Sequence, residues 1–222
     1  MGDLALSQKS LFAGILGAFV SGVRRNKTAV IATALTFFGV IFVSVLVTVF
    51  AFSYSPGLLG VLESFGEQER RYIVGPPPYT GDLYFYILSN NVGHFWNPIR
   101  MLVWVPLLGT LVLGLELLLN GVSIGVVATL VGFQRGVAFP VFGLVPHGIF
   151  EIPAFVFEFV SIIRWHVTVV EAIMAKVTGE GVNVAKFKLG VRDVVVLAVV
   201  SVVLFVVAAF VETFVTPRLL GL

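Results

Sequence analysis

The sequence predicts an all-α, polytopic integral membrane protein of about five transmembrane helices, and three observations carry that reading. Of its 222 residues 58% are hydrophobic and only 12% charged. The mean hydropathy is +1.04, a balance foreign to soluble globular domains. Long runs without charge recur, and Lys and Arg gather in the short polar segments beside them. A hydrocarbon-spanning helix takes ~20 residues, so the length allows roughly four to six spans and no separate soluble catalytic domain.

Composition also removes whole classes of chemistry. The chain has no cysteine, which excludes a disulfide framework, thiolate zinc, iron–sulfur clusters and a cysteine nucleophile. A net charge of +2 without a basic, aromatic-interleaved surface gives no reason to expect nucleic acid as a partner. There is no Gly-rich phosphate loop, no G-x-S-x-G elbow and no paired-His metal motif, so nucleotide-driven transport and serine hydrolysis are not expected. No cofactor is expected either.

Taken in order, a single membrane domain covers 1–222. In 1–28, Leu11, Phe12, Ile15, Leu16, Phe19, Val20 and Val23 share one broad helical face, flanked by Lys9 and by Arg24, Arg25 and Lys27. That is the pattern of a cytoplasmic interfacial helix and not of a signal peptide. Residues 29–52 carry no charge and form span 1. Residues 53–100 read as an outer loop. It contains Glu63, Glu67, Glu69 and Asp82 against Arg70 and Arg71, and its Gly75-Pro76-Pro77-Pro78 run forbids helix. Residues 101–119 suffice for span 2. After the pause at Asn120-Gly121, residues 120–135 form span 3 or a re-entrant arm.

The small residues Gly121, Gly125, Ala128 and Gly132 fall at i, i+4, i+7 and i+11, a groove into which another helix can pack closely. Residues 137–163 form a fourth span that Pro140, Pro146 and Pro153 are expected to break. Residues 164–193 read as a cytoplasmic amphipathic segment, and 194–212 as span 5. The excess of Lys and Arg before span 1 and within 164–193 places both in the cytoplasm of a multi-pass plasma-membrane protein, with the carboxyl terminus outside. Arg135 dissents, and a three-span arrangement with a re-entrant pair satisfies the same hydropathy.

Ionised carboxylates at bilayer depth cost about 2.5 to 3.5 kcal/mol even on lenient scales, so Glu116, Glu151 and Glu158 ask for a reason. His147, Glu151 and Glu158 stand at i, i+4 and i+11, one polar stripe on a greasy helix. Three chemistries fit it. A metal site would use His147 and Glu151 with a further ligand from Glu116, His94, His166 or Glu212. A proton or cation relay would use His147, Glu151, Glu158 and Glu116. The favoured reading is structural: the carboxylates are neutral or bonded to Asn120, Arg100 or freed backbone, and they lock a broken helix in its bundle. Nearby, Trp96 and Trp104 with Tyr79, Tyr84 and Tyr86 read as an interfacial aromatic belt, and the asparagines at 90, 91 and 97 as caps.

Four stretches carry a family likeness: Asn90-Asn91; Leu119-Asn120-Gly121-x-x-x-Gly125; Val145-Pro146-His147-Gly148-x-Phe150-Glu151-x-Pro153-Ala154; and Glu212-x-Phe214-Val215-x-Pro217. Their order and spacing over most of residues 29 to 218 resemble the stage II sporulation protein M family. The resemblance implies an α-helical plasma-membrane protein without catalytic activity of its own. The sporulation member is regarded as a scaffold for peptidoglycan-degrading partners; what carries over is the family, while that specific role does not follow from it. The expectation is therefore a non-enzymatic scaffold or membrane-complex component in contact with lipid and protein partners, which include a second copy of the chain. The competing expectations are a transporter or channel subunit and an intramembrane metal-dependent hydrolase.

Overall fold

Each described element is a helix, as the composition demanded, and four helices are long and apolar enough to cross a bilayer. The computed structural model describes the backbone of residues 2–72 and 77–221, and the side chains of 13–66 and 77–221. Gly75 and Pro76 of the proline run, and the side chains of Lys9, Leu11, Phe12, Glu67, Glu69, Arg70 and Arg71, lie outside the described residues. In chain order the elements are α1 (Gly2–Arg25), α2 (Lys27–Tyr54), α3 (Pro56–Tyr72), α4 (Gly81–Asn91), two 3₁₀ turns (Gly93–Phe95 and Arg100–Trp104), α5 (Leu108–Arg135), α6 (Ala138–Val177), α7 (Val184–Phe214) and the short α8 (Thr216–Leu220). The four apolar crossers are α2, α5, α6 and α7 extended through α8.

The helix α2 is apolar on all sides, and Leu35, Phe42 and Phe50 stand 68%, 61% and 56% exposed, as suits a surface bathed in lipid. Its one tight face meets α5. A Cβ added at Gly121 would lie 2.8 Å from Val40 Cγ1, and one at Gly125 would lie 2.6 Å from Ser44 Cβ. Farther along, the Phe52 and Phe133 rings stack with centroids 4.1 Å apart. The pairs 40/121, 44/125 and 52/133 keep a constant offset, so α2 and α5 run parallel. Glycine does the joining here because dispersion between backbones in close approach, not a hydrophobic effect, holds helices together in lipid. The second half of the stripe is different: Ala128 and Gly132 line an apolar groove of about 390 Å³ with Val45, Val49 and Pro140.

Four sequence expectations are corrected. Asn120 does not divide two spans, since α5 passes unbroken through it; a lone exposed Asn costs an α-helix only a few tenths of a kcal/mol. The break lies earlier, at Leu107, whose φ is 73°, and at Gly109, where any Cβ would collide with the Val103 carbonyl. The prolines do not interrupt 137–163. Pro146 and Pro153 sit inside one 40-residue helix, and Pro140 lies in its first turn. That helix absorbs the first half of the supposed amphipathic segment, whose second half opens α7. An interior proline removes one backbone bond, and α6 packs against both α5 and α7. Finally, the outer loop 53–100 is itself largely helical, with Pro56 opening α3 and the Thr80 side chain capping α4 at Leu83 N.

Two adjacent crossers that run parallel require the chain between them to return. Tyr79 N bonds to Thr213 O near the end of α7. Asn91 then reaches Glu151, His94 reaches Glu158, and Trp104 reaches Trp165. From Glu151 to Trp165 is about 21 Å along α6, covered by residues that are mostly not α-helical. Backbone of that kind is tolerated inside a membrane protein only where the protein satisfies it, and side chains do so here. Trp104 Nε1 donates to His94 O at 2.8 Å and Trp165 Nε1 to Trp104 O at 2.9 Å. His166 Nε2 bonds Val103 O at 2.7 Å, and Arg100 donates to Asn90 O. The Asn97 carboxamide oxygen accepts from Ile99 N and Arg100 N. Trp104 thus serves as an internal bracket for the returning chain.

Candidate functional site

The polar stripe of α6 does lie on one face, but its members serve two separate clusters. The inner cluster centres on His94 in the first 3₁₀ turn, a residue 1% exposed. Its Nε2 stands 2.8 Å from Glu116 Oε2 of α5, and its Nδ1 3.0 Å from Glu158 Oε1 of α6. The second contact lies off the N–H axis, which makes it an ion contact and not a straight hydrogen bond. A ring with a carboxylate on each nitrogen serves both only with a proton on each. Arg100 adds positive potential at Glu158, and its guanidinium fills the space where a side chain at Gly93 would stand. Three elements, α5, α6 and the returning segment, are tied at this point.

The outer cluster joins α6 to the far end of α7. One ligand atom from each of His147, Glu151 and Glu212 lies within 4.8 Å of the others. His147, on a side chain 9% exposed, has its Nδ1 3.3 Å from Thr216 Oγ1. Its Nε2 is 3.7 Å from Glu151 Oε2, too far for a hydrogen bond. Asn91 Nδ2 donates to the other oxygen of Glu151 at 3.1 Å. Glu212 joins from α7, the neighbouring helix in space. The i, i+4 spacing of His147 and Glu151 aims both at α7 from adjacent turns.

Sequence reasoning named every titratable member of these clusters but grouped them differently. Glu158 and Glu116 belong with His94, seven residues or two helical turns below Glu151. Asn120 is exposed on α5 and stands apart from both clusters. His166 holds backbone and bonds Thr110, so it is not a further ligand. Asn91, which its place in the sequence suggests as a cap, instead donates to Glu151; the signal for it is a buried carboxylate in want of an amide donor.

A third charged pair lies on the amino-terminal side. Arg25 of α1 donates from both Nε and Nη2 to Asp193 of α7, with Asp193 1% exposed. That hydrogen-bonded pairing raises the Arg25 pKa above its ordinary value. Phe19 packs edge-on against Phe157 at 5.2 Å, so α1 is docked on the bundle through its carboxyl half, whereas Ile15, Leu16 and Val20 remain about half exposed.

Among families of known proteins, the model described as stage II sporulation protein M matches residues 28–217. No curated protein and no solved structure is significantly similar to the chain.

Proposed function

The chain belongs to the stage II sporulation protein M family, and from that premise we propose that it is a non-enzymatic scaffold, a component of a larger membrane complex. The observation that carries this reading is that two of its three buried charged clusters are paired within the chain. Glu116, His94 and Glu158 meet in one, and Arg25 and Asp193 in the other. Each group ties separate elements together and so serves architecture, as expected where a buried charge is kept only with its partner.

The same reading gives five crossings, the fifth being the returning segment that ends at Leu107. The side on which α2 begins and α6 ends then holds Lys9, Arg24, Arg25, Lys27, Lys176, Lys186, Lys188 and Arg192. The opposite side holds Arg70, Arg71, Arg135 and Arg218. That asymmetry makes the amino terminus cytoplasmic and the end of α7 external in a plasma membrane.

Two experiments test the proposal. Because the chain has no native thiol, single cysteines report topology directly. Leu107→Cys and Thr178→Cys should react with an impermeant maleimide from one side of sealed vesicles, and Val137→Cys from the other. Tyr54→Cys, at the end of α2, should react from the same side as Val137→Cys, and its labelling from the Leu107→Cys side instead would remove the fifth crossing. For the role, proteoliposomes of the purified chain should show no flux driven by a pH gradient. Glu116→Gln, which keeps an acceptor for His94, should leave association with membrane partners unchanged. A flux that Glu116→Gln abolishes would make the protein a transporter.

A further inference from the structure

We propose that His147, Glu151 and Glu212 form a binding site for one divalent transition-metal ion of the zinc type, at the external end of the α6–α7 pair. The geometry of His147 is the first support. Thr216 Oγ1 is 3.3 Å from its Nδ1. A ring that donates there carries its lone pair on Nε2, which stands 3.7 Å from Glu151 Oε2 without a hydrogen bond, and Glu212 completes a group whose ligand atoms lie within 4.8 Å of one another. Three acceptors that converge in this way are held together by a proton or a cation between them. In the inner cluster the His94 ring stands between the carboxylates; here none of the described residues does.

The surroundings are those of a ligand set. Metal-bound imidazoles are oriented by a partner on the other ring nitrogen, and ligating carboxylates are themselves hydrogen-bonded. Thr216 does the first for His147, and Asn91 the second for Glu151. One imidazole and two carboxylates suit a borderline ion such as Zn²⁺, with water in a fourth position, better than the all-oxygen shells of Ca²⁺ or Mg²⁺. A tetrahedral ion with bonds of ~2 Å spaces its ligands about 3.3 Å apart, so side-chain rotations that close the present triangle by an ångström or so complete the shell. The Glu151 side chain is 34% exposed, which leaves an entry path. Bound there, the ion would clasp α6, α7 and the Asn91 end of α4 at one point. The inference does not depend on the scaffold reading, and each can fail alone.

The full-length chain, purified in detergent and stripped with a chelator, is titrated with Zn²⁺ against a chromophoric competitor, and metal content is measured after dialysis. The expected result is one Zn²⁺ per chain. His147→Ala and Glu212→Gln should each weaken binding at least a hundredfold, Thr216→Val by ~10- to 100-fold, and Glu116→Gln not at all. Thr216→Val and Glu212→Gln keep the test valid should His147→Ala fail to fold. Binding far below one equivalent, or equal binding by wild type and by folded His147 or Glu212 variants, would overturn the proposal.

Discussion

His94 and His147 are neighbours on the same line of α6 carboxylates, yet one is closed and the other open. Around His94 each ring nitrogen meets a carboxylate, so the group is complete without anything from outside. Around His147 one nitrogen meets a hydroxyl, the other stands 3.7 Å from Glu151, and Glu212 joins them with no cationic side chain among the described residues between the three. The same residue types give a closed group in one place and converging acceptors in the other. What decides is the count of donors against acceptors, and burial alone does not distinguish them.

That contrast can be broken most forcefully at its closed end. Removal of His94 leaves Glu158 buried beside Glu116 with no cation between them, so His94→Ala should lose about 3 to 5 kcal/mol of stability, measured as a thermal midpoint in detergent. His147→Ala in metal-free protein should lose much less, and equal losses would erase the distinction. Next in size, zinc at a hundredfold excess over its dissociation constant should raise wild-type stability by ~2.7 kcal/mol by mass action, with no rise in His147→Ala. Glu158→Gln should cost about 1 to 3 kcal/mol, because an amide replaces a buried anion whose partner remains charged. Glu116→Gln should cost under about 1 kcal/mol, since its side chain is 25% exposed and water can replace part of what it loses. A Glu116→Gln cost that matches Glu158→Gln would show that the two carboxylates share one environment.

Much of this was legible beforehand. Hydropathy alone gives the helical class and α2 to within two residues at each end. The i, i+4 pattern locates the close approach of Gly121 and Gly125 to α2, and the stripe on α6 marks the face on which both buried clusters lie. The returning segment was hidden because Asn90, His94, Trp96 and Asn97 look like a loop in water. The partners that fix it, Glu151 for Asn91, Glu116 for His94 and Trp165 for Trp104, lie tens of residues away, and only the parallel setting of α2 and α5 forces the chain back. The unbroken course of α5 and α6 is hidden for a related reason: a local breaker in the sequence does not show which helices pack beside it.

The segment after α4 has a consequence for biogenesis. Too irregular and too polar to partition into lipid as a preformed helix, it relies on Glu151, which follows Asn91 by 60 positions, and on residues later still. When the ribosome has made only the first hundred residues, those anchors do not yet exist. Its contacts with α6 must therefore wait until α6 has been synthesised, which makes its docking a late step in the protein's maturation.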